Sequence, residues 1–305
     1  MNDVTKELLR TVSELDGLPK GAYNIRENGH CASRNCTEKI NIVSKTDKPG
    51  IDIIVKPGTK YETVYIPAIV TESDVDDLVY NDFYIGEDAD ITIVAGCGVH
   101  TDGTGNSQHN GIHRFFLRKN SRVLYLEKHI GTGEGTGERI INPETYMELG
   151  ENSYMEMDTL QIKGVDSSKR VTEGTLAANA KLIIREKIMT HGNQTAETIF
   201  KVDLNGNKSG ADVISRSVAR DSSKQIFRST INGNADCSGH TECDAIIMDN
   251  GVVSAIPELT ANHVDAALIH EAAIGKIAGE QLTKLMTLGL SEAEGEAKII
   301  EGFLK

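Results

Sequence analysis

Residues 86–93 read GEDADITI, 118–125 RKNSRVLY, 150–157 GENSYMEM, 177–184 AANAKLII and 209–215 SGADVIS. In each, a small residue stands two positions before the first large apolar residue of a β-type run: Ala89, Ser121, Ser153, Ala180 and Ala211. Their separations are 32, 32, 27 and 31 residues. Units of this size cannot bury an apolar face alone, so they have to stack, which is the logic of a solenoid with one continuous core. From about 40 to 256 the pattern is strand after strand: IDIIV (51–55), YETVYIPAIV (61–70), ADITIVA (89–95), RVLYLE (122–127), KLIIREKI (181–188), DVISRSV (212–218) and KQIFRSTI (224–231), separated by Gly, Asn and Asp turns. No helical period interrupts them. A large β-sandwich is the alternative architecture, and the periodicity disfavours it.

The two ends differ in texture. Residues 1–18 predict an amphipathic helix with Val4, Leu8, Val12 and Leu15 on one stripe, ended by Gly17 and Pro19. The stretch 21–40, which holds Cys31 and Cys36, reads as polar and irregular. After 271, Ile277, Gln281, Leu282, Leu285 and Met286 have helical spacing, with Gly289 placed as a stop. Ser291 and Glu294 then form a capping-box pattern for a last helix, with Ala293, Ala297 and Ile300 on one face. The expected organisation is a lead-in over 1–40, an all-β solenoid core over 41–271 and a helical segment over 272–305.

The totals exclude several classes. A net charge of −13 disfavours nucleic acid as a partner, because phosphate binding needs clustered Lys and Arg. Aromatic residues are 5% with no Trp, which disfavours an aromatic-anchored cleft. The start MNDVTKELLR lacks the apolar core of a signal peptide, and no run approaches the ~20 apolar residues of a membrane span. A cytoplasmic location follows as the expectation, with the five cysteines reduced and open to thiol or metal chemistry.

The chemistry concentrates in CSGHTECDAIIMDNGVVSAIPELTANHVDAALIHE, residues 237–271. Cys237, His240 and Cys243 lie within seven residues, a soft-ligand set of the kind that zinc and iron–sulfur centres accept. If 241–247 is a strand, Cys243 shares a face with Ala245 and Ile247. In 264–270, His270 shares a face with Ala266 and Leu268, while the adjacent Glu271 has the opposite parity. Each reactive group thus falls on the apolar side of its run. A single such cysteine is ordinarily a small hydrophobe, and a single such histidine a satisfied core residue; the cluster argues for more.

A second group is AGCGVHTDGTGNSQHNGIH, with Cys97, His100, His109 and His113. Its C-x2-H-x8-H-x3-H spacing has zinc ingredients, but His109 and His113 would need a helix to converge and Gly111 opposes one. Cys97 has the parity of Ile91, Ile93 and Ala95 and is expected to point inward. Cys31 and Cys36, spaced C-x4-C, read as exposed cysteines. The run GTGEGTGER (131–139) matches no phosphate-loop pattern and reads as a turn.

SGHTECDAIIMDNGVVSAIPELTA, LIHEAAIGKIAGEQLTKLMTLGL and the terminal EGF resemble the C-terminal signature of the SUF iron–sulfur scaffold family, SufB and SufD, in a short SufB-type form. The resemblance covers most of the chain from about 40 onward. It implies a right-handed parallel β-helix with C-terminal helices, and an assembly scaffold in place of an enzyme. It implies sulfur acceptance at Cys97, from the match of AGCG and HNGIH to the family's G-C motif with a downstream histidine. It implies a receiving cysteine at Cys243, from TECD. The family's E-H-E cluster reads I-H-E here, so His270 and Glu271 carry over and Ile269 replaces the first acid. The implied cargo is a transient iron–sulfur cluster, [4Fe–4S] in expectation, held by Cys243, His270 and Glu271, with Cys237 and His240 as further candidates. The implied partners are a SufC-type ABC ATPase docked on 276–304, through which alone ATP acts, a second copy of the chain, and a cysteine desulfurase. The competing readings are a β-helix enzyme acting on polysaccharide, which the missing export signal disfavours, and a structural ATPase partner with inert cysteines.

Overall fold

Asparagine and its neighbours form the corners of the coils. Asp88, Asn120, Asn152 and Asn179 all adopt the left-handed conformation, with φ of 57° or 58°, which short Asn and Asp side chains tolerate best after glycine. The next residue each time, Ala89, Ser121, Ser153 or Ala180, is buried, and its N–H closes onto the carbonyl of Gly86, Arg118, Gly150 or Ala177. The corner side chains also stack from coil to coil. Asn120 Nδ2 donates to Asp88 Oδ1 (2.9 Å), Asn152 Nδ2 to Asn120 Oδ1 (3.1 Å) and Asn179 Nδ2 to Asn152 Oδ1 (3.0 Å). Four of the five small residues in the repeat are therefore corners. The fifth is displaced: Ala211 pairs with Leu182 inside the strand, and the corner is Lys208–Ser209. Lysine stands at the left-handed position there and Ala211 where the preceding coil has a large residue, so the small-then-large pattern slips by two.

A computed structural model describes residues 2–305 as a β-solenoid of about eight turns with a short N-terminal helix and C-terminal helices. Helix α1 (Asp3–Ser13) leads into β1 (Ala22–Glu27), β2 (His30–Asn35), β3 (Ile40–Ser44), β4 (Gly50–Val55), β5 (Lys60–Val70), β6 (Asp76–Ile85) and β7 (Asp90–His100). There follow β8 (Ser107–Leu117), β9 (Arg122–Thr132), β10 (Arg139–Ile141), β11 (Glu144–Leu149), β12 (Tyr154–Lys163), β13 (Ser167–Leu176) and β14 (Lys181–Thr190). The last coils are β15 (Thr195–Leu204), β16 (Ser209–Ala219), β17 (Lys224–Gly233), β18 (Cys237–Ile247), β19 (Val252–Ala261) and β20 (Ala266–Gly275), before α2 (Gly279–Thr287) and α3 (Glu292–Phe303).

The strands make two ten-stranded sheets. One has the order β2, β1, β5, β7, β9, β12, β14, β16, β18, β20; the other runs β19, β17, β15, β13, β10, β8, β6, β4, β3, with β11 also bridging β13 and β8. Pairing is parallel except in the hairpins β1/β2 and β3/β4. Parallel register stacks inward residue on inward residue, so the core is a column. Phe83 and Phe115, for example, stack at 4.3 Å between ring centroids.

The N-terminal segment corrects two expectations. Helix α1 ends at Glu14, with φ of 56°, before Gly17 is reached. The stretch 21–40 is not irregular: β1 and β2 form an antiparallel hairpin, and β1 joins the solenoid in parallel with β5. Its polar residues concealed the strands because they pair with one another, as when Arg34 Nε donates to Asn24 Oδ1 at 2.8 Å. At the other end the Ser291–Glu294 capping box forms as expected, and Leu282 of α2 packs over Gly295 of α3. No described helix is long and apolar enough to cross a membrane.

Helix α1 lies across β7 at Gly96 and Gly98, where an added Cβ would meet Val12 Cβ at 2.6 Å and Leu8 Cδ2 at 3.1 Å. Gly96→Val is therefore expected to displace α1 and to destabilise the fold by roughly 1–3 kcal/mol, the usual range for overpacking. Thermal unfolding and limited proteolysis of residues 2–20 check this; an unchanged midpoint with an uncut helix contradicts the packing.

Candidate functional site

The two glycines that admit α1 outside flank Cys97, which points into the solenoid and is 5% exposed. AGCG thus has a mechanical meaning: glycines outward for the helix, thiol inward. Across the interior, His109 and His113 of β8 both project inward, because residues four apart on a strand share a face. No helix is needed for that, contrary to the sequence expectation. Gly111 lies between them on the same face, and a Cβ there would meet His113 Nε2 at 3.1 Å and His109 Nε2 at 3.3 Å. The glycine makes room for both rings. His129 of β9 stands beside Cys97 in register and completes the group.

These residues have distinct electrostatic states. His109 Nδ1 hydrogen-bonds Asp77 Oδ2 at 2.9 Å, and Arg26 from β1 clamps the same carboxylate through Nε at 2.9 Å. That leaves His109 Nε2 for the thiol. Burial pushes the Cys97 thiol up, but the imidazolium of His109 and hydrogen bonding from His109 and His129 outweigh it and bring it down to about 7. Burial would likewise lower His109; the Cys97 thiolate and Asp77 raise it to about 10. Between those values the pair stands as thiolate and imidazolium, an activated-cysteine arrangement. His113 is different. It bonds Tyr125 Oη (2.9 Å) and Asn81 Nδ2 (3.3 Å), and burial chiefly lowers it to about 4, so it stays neutral. His100 is turned outward to Thr132 and Asp102. The four-residue zinc set Cys97, His100, His109 and His113 is therefore not assembled; only His109 meets the thiol.

From Cys97 a polar row continues through the interior. In-register pairing aligns Ala95, Glu127, Thr159, Glu186, Ser215 and Cys243 along one line and Cys97, His129, Gln161, Ile188, Ser217 and Ala245 along the next. Arg170 reaches in from the opposite sheet, donating from Nη1 to Glu127 Oε2 at 2.6 Å and from Nη2 to His129 Nδ1 at 3.2 Å. Its Nε is 3.5 Å from Glu186 Oε1. Glu186 also accepts from Thr198 (2.9 Å) and Ser215 (2.8 Å). Cys243, in register with Ser215, ends the row; burial, then Glu186 and Asp244, push its thiol up to about 12. The two thiols sit at opposite ends of two adjacent inward lines, which Arg170 joins through Glu127 and His129.

The C-terminal residues divide between the faces. Cys243 and His270 both face inward, on the adjacent strands β18 and β20, with His270 beside Thr241 and one inward position from the partner of Cys243. His270 Nδ1 is buried without a hydrogen-bond partner, a condition that a ligand would relieve. Glu271 is exposed on the outer face, 3.6 Å from His240 Nε2. His240, Glu242 and Glu271 offer ligand atoms within 4.8 Å of one another there, and His240 Nδ1 bonds Asp212 at 2.8 Å. Within one chain Glu271 therefore does not join Cys243 and His270. Cys237 faces inward three inward positions before Cys243, so Cys237, His240 and Cys243 do not converge. Cys31 and Cys36 are exposed, and Gly133, Gly135 and Gly137 of the glycine-rich run lie against the backbone of 101–105 as a turn stack.

Sequence reasoning missed Asp77, Glu127, His129, Arg170 and Glu186. The signal was parity: in RVLYLEKH, Val123, Tyr125, Glu127 and His129 share the inward face, and a charged residue there is anomalous.

A family model described as SUF system FeS cluster assembly, SufBD core domain, matches residues 79–303. An iron-sulfur cluster assembly SufBD family protein of Archaeoglobus fulgidus is 29% identical over 85% of this chain and 69% of that protein. A protein of the same description from Methanothermobacter thermautotrophicus is 28% identical over 84% of this chain and 62% of its own length. One from Methanocaldococcus jannaschii is 28% identical over 83% of this chain and 79% of its own length.

The thiol states generate a direct test. Alkylation of Cys97 by iodoacetamide is expected to rise with pH through a midpoint near 7 and to level above it, because only the thiolate reacts. Asp77→Asn, which removes the anion holding His109 charged, is expected to move that midpoint up, while Cys243 stays unmodified at pH 8. Peptide-level mass spectrometry reads both; a Cys97 midpoint unmoved by Asp77→Asn contradicts the arrangement.

Proposed function

We propose that this chain, which belongs to the SufBD core family of the SUF iron–sulfur cluster assembly system, is the scaffold subunit on which sulfur and iron are brought together. The observation that carries this reading is the buried polar row with an activated thiol at one end and a second thiol beside an unpartnered imidazole at the other. Sulfur is accepted at Cys97, moves along the interior, and meets iron at Cys243 and His270. Five strand steps separate β7 from β18, about 24 Å at a spacing of about 4.8 Å. Two thiols cannot exchange a sulfur atom directly over that distance. The path between them runs past His129, Arg170, Glu186 and Ser215.

The cluster is cargo, and the residues present fit it. A thiol raised to about 12 is inert as a nucleophile but gives up its proton when a metal binds, since thiolate is the ligand. His270 supplies a free ring nitrogen on the same face. Glu271, on the outer face, can join only through a second copy of the chain. The ends of the sheets support such pairing. β19 and β20 end their sheets, each paired on one side only, to β17 and β18, and they expose Val252, Ile256, Ile269 and Ile274, a combination that invites strand addition. Helix α2 buries none of its residues, and Met286 and Leu288 are exposed; this tail is the docking surface for the ABC ATPase, whose ATP cycle drives the scaffold.

Anaerobic reconstitution with iron and sulfide is expected to give a brown chromophore that Cys243→Ser abolishes; full loading of that variant removes Cys243 from the ligand set. Deletion of 276–305 is expected to end co-purification with the ATPase, and persistence of the complex rules out the tail as the dock.

A further inference from the structure

Cys97 is not sealed on every side. A cavity of about 280 Å³ reaches its thiol from the N-terminal end of the solenoid, between the β1/β2 hairpin and the turn that joins β3 to β4. Arg26, Arg34, Lys45 and Lys48 line it, and among the described residues no Asp or Glu does. That is anomalous in a chain of net charge −13. The deep cations are neutralised from behind, Arg26 by Asp77 and Lys45 by Asp52 and Asp82. The cations nearer the mouth are not. Arg34 bonds only the neutral Asn24 and Ser44, and Lys48 lies 4.5 Å above the Tyr80 ring, with no carboxylate paired to either among the described residues. The result is a positive throat ending on a thiol whose neighbouring histidine is held by Asp77. A cleft lined by one sign of charge concentrates ions of the other. Its volume equals roughly nine water molecules at ~30 Å³ each, room for a small anion and not for a protein domain.

We propose that this cavity admits a low-molecular-weight anionic sulfane-sulfur donor, a hydropolysulfide or a small alkyl persulfide, and that Cys97 takes its terminal sulfur. The proposal rests on the reading of Cys97 as sulfur acceptor and specifies the donor class. In the transfer, Cys97 Sγ as thiolate attacks the outer, protonated sulfur of R–S–SH, whose negative charge is carried on R (the far sulfur of a hydropolysulfide or the carboxylate of an alkyl persulfide). A new S–S bond forms, the R–S to SH bond breaks, and its electron pair leaves on R–S⁻. His109 as imidazolium gives that thiolate its proton. The products are the Cys97 persulfide, R–SH and neutral imidazole. The moving sulfur is already at the sulfane level, so no oxidant or reductant is consumed. Arg34 and Lys48 attract the donor anion, and Asp77 positions His109.

The test uses the whole reduced chain under anaerobic conditions, with sodium tetrasulfide in one arm and cysteine persulfide in the other. Peptide-level mass spectrometry follows the added sulfur on Cys97. Loading in the first arm alone identifies the inorganic donor, loading in the second alone the organic one, and either supports the proposal. The double variant R34E/K48E is expected to load at least about tenfold more slowly, the lower range of electrostatic focusing, while the neutral probe iodoacetamide alkylates Cys97 at the unchanged rate. The milder K48Q is expected to fall between. No loading in either arm, sulfur on Cys31 alone, equal slowing of both reagents, or loading indifferent to the charge reversal each overturns it. A chain that loads Cys97 yet never forms a chromophore with iron and sulfide sinks the scaffold reading and leaves the donor assignment standing.

Discussion

Arg170 is buried in the interior between Glu127 and Glu186, and the polar row depends on it. Two carboxylates facing a shared apolar column would not both ionise without a cation between them. Against burial, His129 and then Arg170 hold Glu127 well below the usual carboxylate range, while Glu186, where burial outweighs Arg170, is pushed up. Removing one partner from such a cluster generally costs about 3–5 kcal/mol, because the remaining charge stays buried and unpaired. An interior built only for stability would fill these positions with aliphatic side chains, as the adjacent inward line of the same strands does with Ile93, Ile184 and Val213. The row is maintained at a cost in stability, which on the proposed reading serves the passage of sulfur.

The register that stacks this row also limits what one chain can do. Parallel pairing keeps every second residue inside, so Cys97, His129, Glu127, Glu186 and Cys243 share one compartment while His240, Glu242 and Glu271 share the other. No rotation of a side chain moves Glu271 to the inner face of β20. On the proposed reading this is why one copy carries an incomplete ligand set, and why the open edges of β19 and β20 lie beside it.

The solenoid was legible because its corners are local chemistry. A left-handed Asn or Asp followed by a small buried residue recurs at 88, 120, 152 and 179 and can be read without knowing the fold. The reading failed at Ala211, where Lys208 occupies the corner, and over 21–40, where strands are stabilised by side-chain pairing across a hairpin and not by apolar alternation. The inward direction of Cys97, Cys243 and His270 followed from parity alone. What stayed hidden was contact between coils. Nothing in the spacing joins Asp77 to His109, or Arg170 to Glu127, because those partners lie on different coils and meet only through register. The separation of Glu271 from His270 was visible as opposite parity, and the structure keeps them apart.

The central claim is that sulfur accepted at Cys97 reaches Cys243 through the inside of a single chain. Its most direct test is to place isotopically labelled sulfane sulfur on Cys97, remove all free sulfur species anaerobically, and follow the label by peptide with time. With ferrous iron supplied, whose binding draws the proton off Cys243, the account predicts label leaving Cys97 and arriving at Cys243, at a rate independent of protein concentration and strongly reduced in Arg170→Met. Label that remains on Cys97, or that reaches Cys243 equally well in Cys97→Ser, contradicts it.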